Sequence, residues 1–330
     1  MSRAPLRLGI ALGGAPEPGR WPRVLEQVER ADRAGLHSVW VPEGHFRPGA
    51  TPSPLVALSA FAARTKRLRL ATTSVLLSIH HPLHIAAEVA TVDALSGGRV
   101  LLGLGRGFQP GVFQAFGVPV SSKRDRFDEA LDAILRAWSG EPFTLEGEYF
   151  SSLGERAIRA SLLPVQRPHP PLVVAAFGKK GLRQAARRGL PYLASPLETL
   201  EQLEENYSFW REHLQAEPDP RAPGVPVMRS VHVAGSDDEA RRVRDALTAQ
   251  VVPAGPSAPP ALRRAAQGRP EDRMMVGTAT QVADTVARYR ERLGMDLLIA
   301  RSEVPGASDA ECDAALERLA GKVLPTLDSG

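Results

Sequence analysis

Short apolar runs alternate along the chain with longer segments in which apolar residues recur every three or four positions. The short runs are typical of buried strands, and the longer spacing places apolar side chains on one face of a helix. The pattern predicts strands at 6–12, 38–42, 68–75, 100–105, 172–176, 192–195, 227–233 and 296–300. Helices with one apolar face are predicted around 21–28, 85–92, 127–138 and 282–293.

Three segments repeat one local design, in which a charged helical stretch ends at a glycine and an apolar run follows at once. The glycines are Gly35, Gly189 and Gly294, and a glycine there can adopt the left-handed conformation that ends a helix. Repeated passages from helix to strand indicate a parallel sheet covered by helices. Eight such units predict a single (β/α)8 TIM-barrel domain over 1–330.

A barrel of this kind needs about 250 residues, which leaves roughly 80 for insertions. We expect insertions near 140–170, where FTLEGEYF is typical of a small hairpin, and near 250–273, which begins with a Pro/Gly/Ala-rich loop.

Composition excludes several classes of function. The net charge of +4 and pI near 9.5 permit weak attraction to anions, but 5% aromatic residues and no basic stripe argue against nucleic-acid binding. No apolar run approaches the ~18 residues that span a bilayer. Cys312 is the only cysteine, which excludes an internal disulfide and fits a cytoplasmic protein. The start of the chain is interpreted as a first buried strand, with a signal peptide as the alternative.

Polar residues follow several predicted strands, and in barrels the chemistry lies at the carboxyl ends of the strands. Glu43 and His45 lie on either side of Gly44 after the second strand. The fourth strand runs into GLGRG, whose spacing is not the G-x-G-x-x-G of dinucleotide folds. Arg106 in this motif either binds an anionic group beside a closely approaching backbone or is a surface arginine in a glycine-rich turn.

A second basic motif, FGKKG, lies where a helix is predicted to begin. Free N–H groups and the helix dipole attract anions there, and Lys179 and Lys180 add positive charge. The motif is therefore either a phosphate site or a solvated loop.

The histidines of LSIHHPLH lack the spacing of helical metal ligands, and no metal is expected. A serine hydrolase is not indicated, since G-x-S-x-G is absent.

Several of these motifs together resemble one known family. They are GLHSVWVPEGHF, ATTSVLLSIHHPLHIAAEVATVDALSGGRVLLGLGRGFQ, GEYF, VVAAFGKKGLRQAARRGLPYLAS and VGTATQVADTVARYRERLGMDLLIARSE. The order of SGGR followed by GLGRG is more specific than either motif alone. The chain resembles the bacterial luciferase-like flavin-dependent monooxygenases from residue 6 to about 215 and again from VGTAT onward.

The resemblance implies a (β/α)8 barrel that binds reduced FMN or, in some branches, the deazaflavin F420. It implies that Arg106 binds the flavin phosphate, that Thr73 and Ser74 are joined by a cis peptide bond beside the flavin ring, and that a phosphate loop completes the site. The residues of that loop are Ala176, Phe177, Gly178, Lys179 and Lys180. FMN is favoured because HHPLHIAAE and GRGFQ are more similar to the FMN-using branch.

The resemblance also implies a reaction. Reduced FMN and oxygen would form a C4a-hydroperoxide that oxygenates a small organic substrate. A separate flavin reductase would supply the reduced FMN, and the enzyme is expected to be a homodimer. A second hypothesis is a non-catalytic partner subunit, and a third is an anion-binding barrel with unrelated chemistry. The retained Arg106 favours an enzyme over the partner subunit.

The chain also departs from the family pattern E-H-H-F, because Gly44 occupies the position of the first histidine, the acid/base in luciferases. Glu43 and His45 match the pattern. Three alternatives follow: His45 or His81 supplies a proton in its place, the reaction needs no base there, or the space opened by Gly44 admits a bulkier substrate. Four residues are expected to line the substrate pocket: Gly44, Phe108, Val112 and Glu303. The insertions would form the rest of that pocket.

Overall fold

A computed structural model describes residues 5–12, 18–47, 49–154, 156–250 and 260–328. The strands are β1 (Arg7–Ala11), β2 (Ser38–Val41), β3 (Arg69–Thr72), β4 (Val75–Leu76), β5 (Val100–Gly105), β6 (Leu172–Ala175), β7 (Tyr192–Leu193), β8 (Pro226–Val233), β9 (Met274–Gly277) and β10 (Leu297–Arg301). The α-helices are α1 (Trp21–Arg33), α2 (Pro54–Arg64), α3 (Pro82–Ser96), α4 (Pro110–Ala115), α5 (Lys123–Ser139), α6 (Gly178–Arg187), α7 (Leu200–Glu212), α8 (Asp237–Ala249), α9 (Pro260–Ala266), α10 (Ala279–Leu293), α11 (Asp309–Arg318) and α12 (Leu324–Asp328).

The chain divides into two compact units. The terminal unit comprises Met1–Gly13, Arg33–Trp40 and Val173–Gly330, and the middle unit comprises Gly14–Asp32 and Val41–Leu172. Strands within each unit pair in parallel, so the predicted parallel α/β class is confirmed.

In the terminal unit, β1 pairs with both β2 and β10, and β10 pairs in turn with β8. β9 adds to the second half of β8 with Ser230 opposite Met274. β6 pairs with β7, and an isolated parallel bridge joins Ala194 to Val227 at the start of β8. Most residues of these strands are buried, as expected for parallel strands covered by helices.

In the middle unit, β5 carries the sheet and is buried along its whole length. Its first half pairs with β3 and its second half with β4. Helix α5 buries an apolar face that includes Phe127, Leu131 and Trp138, as its periodicity predicts. Arg106 and the first turn of α5 therefore both lie in this unit.

The eight predicted strands are all present, with ends that shift by a few residues. The predicted strand at 68–75 is divided into β3 and β4 by a cis peptide bond between Thr73 and Ser74, which confirms the bond that the resemblance implied. β9 was not predicted, because a run of four residues carries too little periodicity to be recognised.

The three helix-ending glycines also behave as predicted. Gly35, Gly189 and Gly294 have φ angles of 73°, 62° and 75°, in the left-handed region that glycine enters without a steric penalty.

Both predicted insertions contain some regular structure. Antiparallel bridges join Phe143 to Ile158 and Glu146 to Ser151, which confirms the hairpin. In the second insertion, residues 251–259 lie outside the described part of the chain, and helix α9 follows them directly. Across the described ranges, no helix is both long enough and apolar enough to cross a membrane.

Candidate active site

A buried carboxylate, Glu43, joins two imidazoles immediately after β2. Its Oε1 atom accepts hydrogen bonds from the Nε2 atoms of His45, at 2.6 Å, and His80, at 2.8 Å. Its Oε2 atom accepts a 2.7 Å bond from the backbone N–H of Leu76 in β4. The Glu43 carboxylate therefore links the loop after β2 to the end of β4 and to the 3-10 turn that follows it.

The environment of Glu43 keeps it ionised. Burial by itself would raise the pKa of Glu43, but hydrogen bonding and charge from His80, with bonds from His45 and the Leu76 N–H, lower the pKa below its ordinary value. The exposed fraction of the side chain is 1% for Glu43, 8% for His45 and 27% for His80. The cluster thus runs from partly solvated His80 through a buried carboxylate to His45.

Local structure explains why His80, and not its neighbour, reaches Glu43. A short 3-10 helix, Leu77–Ile79, follows β4, and the His80 N–H donates to the carbonyl of Leu77 at its end. Pro82 then starts α3, with His81 as its N-cap. Consecutive residues in these two positions direct their side chains apart.

His81, the other candidate acid/base, has a different environment. Its Nδ1 accepts a 3.3 Å bond from the Leu83 N–H, and its ring lies 5.6 Å from Phe150 and 5.9 Å from His84. Partial burial and the charge of His84 lower the pKa of His81. The side chain therefore caps α3 and contacts the hairpin, and no hydrogen bond connects it to Glu43.

Arg106, the residue that follows β5, belongs to a cluster of positively charged side chains. Arg106 is 8% exposed, and its guanidinium carbon lies 5.7 Å from the centre of the Phe127 ring. Burial, followed by the charge of Arg124, lowers the pKa of Arg106 to about 10, with Asp128 acting in the opposite direction. Burial and the charges of Arg124 and Arg106 also lower the pKa of Lys123.

These four charged side chains comprise three cations and one carboxylate, so their formal sum is +2. Lys123 and Arg124 occupy the first turn of α5, where the helix dipole also favours an anion. A bound dianion would relieve the repulsion among these cations, so the cluster fits a phosphate monoester.

The glycines of GLGRG have packing roles of their own. A Cβ on Gly103 would lie 1.9 Å from the carbonyl oxygen of Thr72, so glycine is needed for close contact between β3 and β5. Gly107 has a φ of +71°, and a Cβ there would lie 3.1 Å from the Phe113 ring. These two glycines therefore shape the turn that carries Arg106, in addition to any contact with a ligand.

Gly44 lies against an arginine from its own loop. A Cβ on Gly44 would be 3.2 Å from Nη2 of Arg47 and 3.2 Å from the Cβ of Ala50. The loop is closed by a 2.9 Å bond from the Gly44 N–H to the Thr51 carbonyl. The space predicted to open at Gly44 is thus filled by the Arg47 guanidinium.

Two aromatic side chains lie close to the His45 ring. Its ring centre lies 5.0 Å from that of Phe116 and 5.7 Å from that of Phe46, and the two phenylalanine rings are 6.0 Å apart. Phe46 is 73% exposed and Phe116 is 41% exposed. We call His45, Phe46 and Phe116 the aromatic ledge.

Two further residues of the middle unit, Phe108 and Val112, were predicted to line the substrate pocket, and they differ in exposure. Phe108 is 37% exposed just after Gly107. Val112 lies inside α4 and is buried in a cluster with Ile79 and Phe113, so its side chain serves packing.

In the terminal unit, the predicted phosphate loop runs from the end of β6 into α6. Ala176 is buried, Phe177 is the N-cap, and Gly178 opens the helix with a φ of 71°. Lys179 and Lys180 are exposed, and the Lys179 ammonium lies 5.6 Å from the centre of the Phe209 ring.

Glu303 is half-buried and lies two residues beyond β10. The cofactor roles of the phosphate-loop residues and the substrate role of Glu303 stay predictions.

Sequence reasoning missed three residues of these clusters: His80, Lys123 and Arg124. His80 and His81 are adjacent in the sequence, and only the fold shows which of the two faces Glu43. The sequence does contain a signal for Lys123 and Arg124. Two adjacent cations at the start of a helix are unfavourable for the helix dipole, which indicates that they bind an anion. Among the described residues, no group of three or more His, Cys, Asp or Glu side chains is arranged to hold a metal ion.

Comparison with known proteins identifies the family of the chain. The family profile described as luciferase-like monooxygenase matches residues 7–297. The oxygenase component of a flavin-dependent trigonelline monooxygenase from Acinetobacter baylyi is 28% identical over 225 residues, which cover 66% of this chain and 61% of that protein. An F420-dependent glucose-6-phosphate dehydrogenase from Kineococcus radiotolerans is 33% identical over 201 residues, which cover 58% of this chain and 57% of that protein.

A solved monooxygenase from Streptomyces bottropensis superimposes with a TM-score of 0.82 at 28% identity, covering 98% of this chain and all of that one (100%). Across several curated relatives, the matched part spans only 46% to 61% of their own length. The profile match nevertheless extends over most of the chain, and the protein belongs to the luciferase-like monooxygenase family.

Proposed function

We propose that this protein is a flavin-dependent monooxygenase that uses reduced FMN and oxygen to oxygenate a small organic substrate. The observation that carries the proposal is the cationic cluster of buried Arg106 with Lys123 and Arg124, in a chain whose family contains flavin-dependent monooxygenases. Reduced flavin, when bound, supplies the electrons that activate oxygen.

The cationic cluster would hold the FMN phosphate. A phosphate monoester carries close to two negative charges at neutral pH, which matches the formal +2 of the four side chains. Burial of Arg106 strengthens its attraction for an anion because water screens the charge less there. Phe127 beneath the guanidinium limits the directions in which Arg106 can turn.

The Glu43 cluster would handle protons. Both imidazoles direct Nε2 toward Oε1 of Glu43, so Nδ1 is the atom of each ring left to exchange a proton. Among the described residues, neither ring makes any other hydrogen bond. Glu43 thereby fixes the orientation of the His45 ring. His45 would act as the acid/base, and His80 would hold the Glu43 carboxylate in place. His81, the other acid/base that the sequence predicts, makes no hydrogen bond to Glu43 among the described residues.

A second candidate is an F420-dependent oxidoreductase on the same fold. The similarity to the F420-dependent dehydrogenase from Kineococcus radiotolerans favours it. F420 also carries phosphate, so the cationic cluster alone does not distinguish the two cofactors.

The partners follow from the choice of FMN. A separate flavin reductase would deliver reduced FMN, as the term oxygenase component implies for the trigonelline relative. We further propose a homodimer in the cytoplasm, where the buried Cys312 thiol stays reduced.

We also propose that the strands close into one (β/α)8 barrel with insertions, so that 1–330 is a single domain. The likeness to the Streptomyces bottropensis monooxygenase over nearly the whole chain supports this. A single, cooperative calorimetric unfolding transition is expected, and two separable transitions would contradict the single domain.

The decisive experiment is a titration of the purified protein with FMN, reduced FMN and F420, followed by fluorescence or calorimetry. We expect reduced FMN to bind, and Arg106→Gln to weaken its binding about 10–100-fold, because a hydrogen bond to a charged group contributes roughly 1.5–3 kcal/mol. Arg187→Gln, at an exposed position in α6, is the matched control.

The possible outcomes differ clearly. Selective binding of F420 would replace the first candidate by the second. Binding of none of the three would favour a non-catalytic subunit. Unchanged FMN affinity in Arg106→Gln would remove the phosphate site from the proposal.

A further inference from the structure

The aromatic ledge has a conformation that packing alone does not require. Phe46 has a φ of 55° and is the one non-glycine residue with a positive φ among the described residues. Such a conformation is unusual for a bulky side chain and is sterically unfavourable. It leaves Phe46 73% exposed, so the strain does not serve to bury the ring.

The three rings of the aromatic ledge lie close to one another. The planes of His45 and Phe116 are inclined by 68°, in an edge-to-face contact, and Phe46 is tilted by 39° and 44° to the other two. Rings arranged in this way present flat faces and edges to solvent, which suit a planar aromatic molecule better than a flexible aliphatic chain. His45, the ring held by Glu43, is the most buried member of the ledge.

Arg47 directly follows Phe46 of the ledge in the chain. The Arg47 guanidinium reaches back across Gly44, where the absence of a Cβ lets it approach the backbone. Arg47 is exposed, and within the described residues no carboxylate lies in ion-pair distance of it. The neighbouring carboxylate, Glu43, is 1% exposed and already bonded to two imidazoles.

From these observations we propose that the aromatic ledge and Arg47 form the substrate subsite, and that the substrate is a planar aromatic molecule carrying an anionic group. The aromatic part lies against Phe46 and Phe116 beside His45, and the anionic group is paired with Arg47. The inference deepens the proposed function, on which its catalytic meaning rests, by naming the substrate class.

The test compares three probes that differ in one property each. The probes are 2-naphthoate, which is planar and anionic, 2-naphthol, which is planar and neutral at pH about 7, and decanoate, which is anionic and aliphatic. Binding is measured by calorimetry on the purified full-length protein without added flavin. We expect 2-naphthoate to bind most tightly of the three.

Two variants separate the two parts of the subsite. Arg47→Gln should weaken 2-naphthoate about two- to fivefold and leave 2-naphthol unchanged, because water weakens an ion pair with an exposed guanidinium. Phe116→Leu, which keeps an apolar side chain, should weaken both naphthalene probes by a similar factor and leave decanoate unchanged. Arg187→Gln is the control and should alter none of the three.

Several results would overturn the inference. One is a wild-type protein that binds decanoate as tightly as 2-naphthoate, or binds neither. Another is a loss of affinity in Arg47→Gln that is equal for all three probes, or absent.

A parallel FMN titration keeps this test separate from that of the proposed function. We expect Arg47→Gln and Phe116→Leu to bind FMN like the wild type. If FMN fails to bind the wild type, the proposed function fails while the probe measurements still decide the subsite.

Discussion

Glu43 accepts a 2.8 Å hydrogen bond from His80, the residue before the histidine that the sequence favoured. The bond depends on a 3-10 turn and on a proline, which direct His80 toward the carboxylate and leave His81 as the cap of α3. Adjacent histidines of the same chemical type thus have different roles, and substitutions can tell them apart.

The first prediction concerns these two histidines. His80→Gln is expected to slow the reoxidation of bound reduced FMN by oxygen at least about tenfold. The reason is that His80 helps to hold the Glu43 carboxylate that orients the proton donor His45, and a positioned proton donor contributes about 10²–10⁴-fold to such steps. His81→Gln should change this rate less than about threefold and mainly lower the melting temperature, through the lost cap. Stopped-flow flavin absorbance measures the rate. Equal effects of the two substitutions would contradict the assignment.

A second prediction concerns Gly44. In Gly44→Ala the new methyl group would meet Arg47 and Ala50 at 3.2 Å, so the flexible guanidinium must move. We expect stability to fall by about 1 kcal/mol, and the preference for 2-naphthoate over 2-naphthol to be lost, while FMN affinity stays within about twofold. Gly111→Ala is the control, since nothing lies within 4 Å of the added atom. Loss of FMN binding in Gly44→Ala would show instead that the glycine serves the cofactor.

The third prediction concerns the hairpin. The Glu129 carboxylate in α5 accepts backbone hydrogen bonds of 2.6–3.1 Å from Glu148, Tyr149 and Phe150. Glu129→Gln should destabilise the protein by about 1–3 kcal/mol and speed amide hydrogen exchange at these three residues. Hydrogen exchange with mass spectrometry measures this locally. Glu141→Gln, at an exposed position, should leave the exchange unchanged, and protection that persists without the Glu129 charge would disprove the anchor.

A fourth prediction concerns a buried carboxyl group in the terminal unit. Burial raises the pKa of Glu198 to about 7, although Tyr192, Ser195, Asn206 and Arg229 act in the opposite direction. The folded state therefore holds this proton more tightly than the unfolded chain does. The stabilisation is complete below the ordinary pKa of 4.5 and is lost as pH rises through about 7.

The corresponding measurement is urea unfolding between pH about 4.5 and 8. Loss of the Glu198 contribution should lower wild-type stability by up to roughly 1.4 kcal/mol per pH unit across this window. Glu198→Gln should remove that slope, and the exposed control Glu212→Gln should keep it. A slope that survives in Glu198→Gln would mean that another group is responsible.

The sequence by itself determined the local structure and the family. Strand positions, the helix ends at Gly35, Gly189 and Gly294, and the amphipathic face of α5 follow from short-range periodicity and from the freedom of glycine. Arg106 was recognised as an anion-binding candidate because it directly follows a strand. These features depend on residues that are close together in the chain.

Only the tertiary structure decided which side chains meet. It paired Glu43 with His80, placed Lys123 and Arg124 near Arg106, and buried Val112 in a hydrophobic cluster. It also showed that Arg47 fills the space beside Gly44. Such contacts depend on the directions in which loops leave their strands. Those directions are fixed by packing between residues that are far apart in the chain, so the local sequence pattern does not reveal them.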